Sequence, residues 1–459
     1  MVSNFSKTTA PDGESCQSLR HFLALLEPQE RCAVTARRED YLLSAMVEQL
    51  EGEKRFPVME LTDPDTGGRT VCNIFASRDR LKRVIHHVTD VEEQAERFQD
   101  LEFVDSAPVQ EVVLTGEAVD VTALPVFRHF EGDAGRYITS GVVIARDPEN
   151  GRCNLSFHRM QLKERDRIGI SLHSRGDLWR YFNAAAGQGR NLEIAVVIGA
   201  HPAYYITGAS KIPPSQDDYS WAAAYMDRPA QVIRGRTVDI PVPAFAEYVL
   251  EGRILAGVNE DEGPFGEYTG YSTSRSTRNV FQVTAITHRR DPIYQDLVPG
   301  FAWEHLLLSQ FTKEIILLHK LQREIPGVKA LNMPKCGCHF HAYLSMDQQM
   351  EGQARQVAML LFGLDLYLKL IIVVDGDVDV FSEEEVLWAA ATHVQADRDV
   401  FIVPRVVCNR LDPSCVDGMS DKMCIDATSA PGERERRVTL PEAVRARAAD
   451  LLNGKENAR

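Results

Sequence analysis

Residues 137–159 read YITSGVVIARDPENGRCNLSFHR: a β-branched run, a break at Asp147-Pro148-Glu149-Asn150-Gly151, and a second run ending in Asn154–Arg159. Pro fixes φ and Gly takes the left-handed region without penalty, so the break is a chain reversal and the two runs predict an antiparallel hairpin. The same texture recurs in VQEVVLTGEAVDV (109–121), LEIAVVIGAH (192–201), TVDIPVPAFAEYVLEGRI (237–254) and VFQVTAITHRRDPIYQ (280–295). Runs spaced this closely, with Arg-Arg-Asp-Pro as a further turn, predict an antiparallel sheet or barrel. Two helices interrupt it. One covers LWRYFNAAAG after Asp177, whose carboxylate could cap it, and the other covers about Asp218–Met226. This central domain is expected over residues 109–302.

On its N-terminal side, Leu19, Phe22, Leu23 and Leu26 share a helical face before Pro28, and Leu42, Leu43, Met46 and Leu50 share another. Short strands around Pro57–Leu61 and Val71–Phe75 and a helix from Ser77 to Ile85 complete a small α/β unit over residues 1–108. After Trp303 the pattern becomes an amphipathic helix (HLLLSQFTKEIILLHKLQ), a strand near Phe340–Leu344 and a helix (QARQVAMLLFGL). The strand KLIIVVDGDVD, the helix SEEEVLWAAATHV and the strand DVFIVPRVV then predict a right-handed βαβ unit. Thr439 and Pro441 read as the cap and first position of a terminal helix through Leu452. The chain is thus an α/β (α+β) protein whose third domain spans 303–459.

With 44% hydrophobic and 25% charged residues the composition is that of an ordinary globular protein, and 459 residues suffice for two or three cores. A net charge of −15, with no clustered Lys and Arg, argues against nucleic acid as a partner. No run approaches a membrane span and residues 1–18 hold no apolar signal core, so a cytoplasmic protein is expected. An odd number of cysteines, nine, points to reduced thiols.

Chemistry concentrates in EDEGPFGEYTGY (260–271), where Glu262 and Glu267 flank Gly263, Pro264 and Gly266. Such a segment cannot continue a helix, and a tight loop would turn both carboxylates toward one point. Acid/base work and a solvated acidic turn are both open on this evidence. In the hairpin, alternation sends Asn154, Ser156 and His158 to one side and Leu155, Phe157 and Arg159 to the other, so alternation alone does not bring Asn154 and Arg159 together.

Four motifs occur here in the order and spacing of the UbiD-like decarboxylases. They are Asn154–Arg159 (NLSFHR), Ala246–Gly252 (AEYVLEG), Glu262–Glu267 (EGPFGE) with Thr269-Gly270-Tyr271, and Asp421-Lys422-Met423 before Asp426-Ala427-Thr428. The chain resembles that family over nearly its whole length. The resemblance implies a central split β-barrel holding prenylated FMN between an N-terminal α/β segment and a C-terminal α/β dimerisation domain. It implies non-oxidative, reversible decarboxylation of an α,β-unsaturated or aromatic carboxylic acid, with catalytic residues Arg159, Glu262 and Glu267. Arg159 would hold Glu262 ionised, while Glu267, its pKa raised by desolvation, would donate a proton after carbon dioxide leaves. A flavin prenyltransferase would supply the cofactor, and a homodimer or larger homo-oligomer is implied.

The resemblance also implies Mn²⁺ with K⁺ beside the flavin phosphate. Its ligands map to Asn154, to His173 (with Ser174 and Asp177 as alternatives) and to Asp218, where relatives carry the longer Glu. Asn154, Ser156, Phe157, His158, Arg159, His173, Arg175, Gly176, Ser210, Lys211 and Lys422 map to cofactor contacts, Lys422 at the phosphate. For Arg175 and Lys211 a solvated surface base is the competing reading, and Phe301, Trp303 and Leu331 could line the pocket or belong to the core. Cys336–His341 (CGCHFH) lacks the paired C-x2-C spacing of a zinc module. Asp375–Asp379 (DGDVD) lacks the closing Glu of a calcium loop. Neither is assigned a metal. Two other functions remain: a catalytically silent cofactor-holding or assembly subunit, and a split-barrel reductase using plain FMN.

Overall fold

In the computed structural model Val142–Arg146 and Cys153–Phe157 form the expected hairpin, with Val142 opposite Phe157 and Arg146 opposite Cys153. Residues 15–85, 90–172, 176–429, 438 and 440–452 are described. The hairpin lies at one end of a nine-stranded sheet. From there the order runs through Leu192–Ile198, Tyr248–Asn259, Asn279–His288, Arg167–Ile170, Met160–Glu164 and Tyr137–Ile138, with Val112–Thr115 also paired to Asn279–His288. The pairings along this path are antiparallel.

This order has a geometric consequence. Cys153–Phe157 and Met160–Glu164 are consecutive in the chain, separated by only His158 and Arg159, yet stand near opposite ends of the sheet. A link of that length spans about 10 Å at full extension. The sheet must therefore curl until its ends nearly meet, and His158 and Arg159 sit at the seam of a half-barrel. Its interior is packed by Val143, Met160, Ile168, Ile194, Val196, Leu250 and Phe281, all buried.

The chain divides into two compact units, Met1–Leu317 with Met333–His341 and Val406–Ser420, and Leu318–Asn332 with Ala342–Arg405 and Asp421–Arg459. In the first, a four-stranded sheet orders Arg31–Thr35, Val58–Thr62, Arg69–Cys72 and Ile293–Gln295. Its last strand comes from the end of the stretch read as central, a pairing across more than two hundred residues that no local pattern announces. Leu19–Ala24, Leu42–Gly52 and Arg78–Ile85 are helical as expected. Asp177–Ala186 is helical too, but Gly176 is the cap and Asp177, at the first helical position, pairs with Arg180 at 3.3 Å. A third helix, Pro202–Gly208, was not expected, because Tyr-Tyr-Ile-Thr favours strand until burial overrides propensity.

The second unit carries most of a five-stranded sheet ordered Val328–Asn332, His341–Met346, Leu370–Asp375, Met419–Ala427, Val400–Val407. The parallel neighbour of Leu370–Asp375 is Met419–Ala427, not Val400–Val407, so the expected βαβ pair is split by an inserted strand. The Asp375 carboxylate accepts from the Ser429 amide at 3.0 Å and its hydroxyl at 2.6 Å, tying the end of Leu370–Asp375 to the segment that follows Met419–Ala427. The terminal helix is Glu442–Leu452; Thr439 lies outside the described residues.

Glu304, fully buried in the first unit, accepts from the backbone amides of Asn73 at 2.7 Å and Phe75 at 3.1 Å. Burial pushes its pKa from 4.5 up to about 8, against the pull of those amides and Arg80. A carboxyl raised in the folded state binds more protons folded than unfolded, so its contribution is full below pH 4.5 and is lost as pH rises toward 8. Melting temperature should therefore fall across that window. Glu304→Gln should flatten that slope and destabilise by about 1–3 kcal/mol, since an amide can accept from only one of the two N–H groups. Thermal melts against pH read both effects.

Candidate active site

Arg159, placed at the seam, reaches across to the 260–271 loop. Its Nε and Nη2 each lie 3.0 Å from the two oxygens of Glu262, its Nη1 lies 2.8 Å from Glu267 Oε1, and Nη2 also donates to the Arg275 carbonyl at 2.7 Å. One guanidinium therefore grips two carboxylates, Glu262 in a two-point fork and Glu267 by one bond. The Glu262 side chain is fully buried and that of Glu267 is 14% exposed. Phe265 lies beneath the guanidinium, 5.1 Å from its carbon to the ring centroid.

Burial raises the Glu267 pKa, with the Glu262 charge adding to it, and this outweighs the lowering by Arg159. For Arg159, burial works against the cation but the bonds and charges of Glu262 and Glu267 outweigh it, and its pKa is raised. Tyr137, whose hydroxyl lies 3.3 Å from the Pro264 carbonyl, is raised by burial and by the Glu262 charge. The site thus holds a fixed cation and an acid held toward its protonated form.

Asn154 and Asp218 also meet. Asp217 caps the Asp218–Met226 helix through the Tyr219 amide, which leaves Asp218 to face the hairpin. Asp218 Oδ2 accepts from the Leu155 amide at 2.7 Å and Asn154 Nδ2 at 3.1 Å. Asn154 Oδ1 is buried with no hydrogen-bond partner among the described residues. Burial raises the Asp218 pKa well above the carboxylate range, with the neighbouring Asp217 and Asp177 adding to it. An orphaned carbonyl oxygen beside a desolvated carboxylate is a pair that a hard divalent cation would satisfy. The shorter Asp reaches the strand directly.

Of the other expected contacts, Ser156 and His158 meet on one side. His158 Nδ1 lies 3.1 Å from the Ser171 carbonyl, which can only accept, so Nε2 is left to take the Ser156 hydroxyl at 3.1 Å. Phe157 packs on Tyr205, with ring centroids 5.8 Å apart. Ser210 ends the Pro202–Gly208 helix by donating to the Ile206 carbonyl at 2.7 Å, and Lys211 beside it is exposed. Gly176 opens the Asp177–Ala186 helix. His173, Ser174 and Arg175 lie outside the described residues.

Lys422 is placed otherwise than expected. It is fully buried in the second unit, with Nζ donating to the carbonyls of Asp365, Leu366 and Leu368 at 3.3, 3.4 and 2.8 Å. These bonds fasten the ammonium to the 365–368 loop, a placement that no motif shows. Trp303 packs under Arg78 at 5.8 Å, Leu331 is buried, and Phe301, 41% exposed, stacks with Lys335 at 4.8 Å. His339 Nε2 meets Ser309 Oγ at 3.2 Å, and all nine cysteines are free thiols. Among the described residues no group of three His, Cys, Asp or Glu is arranged to hold a metal. No local pattern singles out Tyr137 or Phe265, because each joins the site only through long-range packing.

Residues 102–302 match the 3-octaprenyl-4-hydroxybenzoate carboxy-lyase Rift-related domain, and residues 306–427 match the C-terminal domain of the same family. The chain is 36% identical over 327 residues to anhydromevalonate phosphate decarboxylase of Methanothermobacter thermautotrophicus, covering 70% of this chain and 77% of that one. The UbiD-class enzyme HmfF of Pelotomaculum thermopropionicum, solved with FMN, superposes with a TM-score of 0.88 at 37% identity over 94% of this chain and 99% of that one. An evolved dimeric form of HmfF, solved with prFMN, gives 0.85 at 34% identity over 95% and 99%. By these matches the chain belongs to the UbiD family of decarboxylases and is a carboxy-lyase.

Proposed function

We propose that this protein catalyses the reversible, non-oxidative decarboxylation of an α,β-unsaturated or aromatic carboxylic acid with prenylated FMN, with Glu267 as proton donor. The observation that carries the reading is the Arg159 fork on Glu262 with its third nitrogen on Glu267. HmfF binds FMN and, in its evolved form, prFMN, and the methanogen relative is named for decarboxylating anhydromevalonate phosphate. When bound, prenylated FMN would supply the electron sink for the carbon that loses carbon dioxide. Asn154 and Asp218, with His173, would hold Mn²⁺, with K⁺ beside it.

The protein's own share is positional and electrostatic. Arg159 holds Glu262 by two bonds and Glu267 through Oε1, and the Glu267 carboxyl carries the proton. That proton passes to the vacated carbon, and the Glu267 carboxylate left behind is neutralised by the arginine already in contact. Reprotonation from solvent resets the site.

The test is the mass and absorption spectrum of the ligand released after co-expression with a flavin prenyltransferase. Prenylated FMN with manganese is the expected result. Plain FMN alone, or an empty protein, would favour the reductase or the silent subunit. In the same preparations Asn154→Ala and Asp218→Asn should each lower manganese affinity by about 10-fold or more, read by metal analysis after dialysis. The terminal helix buries none of its residues, and Leu452 is 89% exposed, which suits assembly with a second copy, so a homodimer is expected in solution.

A further inference from the structure

The loop that carries Glu267 is held from outside by a residue that takes no part in the ion pairs. Asp133 is 1% exposed, and its two oxygens are divided between two backbone amides: Oδ1 accepts from Gly266 N and Oδ2 from Phe130 N, each at 2.9 Å. The Gly266 amide belongs to the peptide one residue before Glu267. On either side of it the same clamp repeats. Ala134 N donates to the Pro264 carbonyl at 2.8 Å, and a side chain at Gly266 would meet the Phe130 ring at 2.6 Å, as would one at Gly300 at 2.9 Å. The ring of Phe130 therefore lies against bare backbone, and larger residues at either glycine would lift it.

The clamp is itself secured. Arg128 donates through Nε and Nη2 to the Asp133 carbonyl at 3.1 and 2.7 Å. His129 Nε2 lies 2.8 Å from Asp296 Oδ1, and both side chains are fully buried. A chain of short contacts thus runs from the Ile293–Asp296 segment through residues 128–134 to the backbone of Gly266.

We propose that Asp133 is a positioning residue for the proton donor: by fixing the Gly266 amide and the Phe130 turn together, it sets where the Glu267 carboxyl meets Arg159. This rests on the role proposed above for Glu267. The contact is geometrically demanding, because Glu267 has only one bond to Arg159, whereas Glu262 has two. Backbone placement therefore decides the position of Glu267 more than that of Glu262. Asparagine in place of Asp133 keeps one acceptor and turns an N–H₂ toward the other amide, so one of the two anchors must open.

The experiment is a double-mutant cycle on the flavin-loaded protein. Asp133→Asn should lower kcat by about 10- to 100-fold while KM and flavin occupancy stay within about twofold. In the Glu267→Gln background the same change should cost less than about twofold, since there is no longer a proton donor to misplace. Equal losses in both backgrounds, or an unchanged kcat in Asp133→Asn, would overturn the proposal. Amide hydrogen exchange of the 262–271 segment keeps it separate from the functional reading. If the wild type releases no carbon dioxide but Asp133→Asn still speeds exchange in that segment alone, the decarboxylase reading fails and the anchor stands. Unchanged exchange there removes the anchor whatever the activity.

Discussion

Arg159→Ala removes decarboxylation, with kcat/KM falling by about 10³-fold or more, and lowers stability as well. The activity loss follows from geometry: without the guanidinium nothing holds Glu262 and Glu267 to one point, and positioned charge is worth several kcal/mol in a site closed to water. The stability loss follows from burial. The Glu262 side chain has no exposure and that of Glu267 has 14%, so removing their shared cation leaves two acids buried side by side without their partner. Breaking such a pair costs about 3–5 kcal/mol, and protonation of both acids would recover part of it at low pH. Arg159→Lys should keep more stability than activity. A point-charge ammonium cannot form the two-point contact with Glu262 and reach Glu267 together. Thermal melts beside carbon dioxide release distinguish the two effects, and wild-type turnover in Arg159→Ala would contradict the role given to this residue.

Glu267→Gln, by contrast, separates chemistry from folding. Glutamine keeps the shape and the Oε1 acceptor for Arg159 Nη1, so folding and flavin binding should hold, while the transferable proton is lost. Removing a positioned general acid lowers kcat by about 10²- to 10⁴-fold. The wild-type rate should also fall as pH rises through the Glu267 pKa, because the active form is the protonated one and burial raises that pKa above 4.5. The variant should lack this descending limb. A variant that keeps both the rate and the limb would place the proton elsewhere.

Much of this site was legible in the residues. The Gly-Pro-Phe-Gly spacer predicts a loop that aims two carboxylates together, and the hairpin was recognisable from its turn. Alternation along the strand could not place Arg159 beside that loop, because it is the closing of the sheet, set by pairings between strands far apart in sequence, that brings position 159 to the seam. The same reason hides Asp133, a single acid among turn residues until its carboxylate meets Gly266. Propensity failed where burial dominates, at the Pro202–Gly208 helix, and local periodicity could not show that Met419–Ala427 inserts between two strands that look like neighbours. The Lys422 motif names a residue but not its direction, and the structure turns its ammonium onto carbonyls of its own unit.

The most direct measurement is decarboxylation of an α,β-unsaturated acid in D₂O by protein loaded with prenylated FMN, wild type against Glu267→Gln. Carbon dioxide release by the wild type, with one deuterium at the carbon that carried it, and loss of product formation in the variant are the expected results. Turnover by Glu267→Gln at the wild-type rate, or a loaded wild type that releases no carbon dioxide from any unsaturated or aromatic acid, would contradict the proposed mechanism.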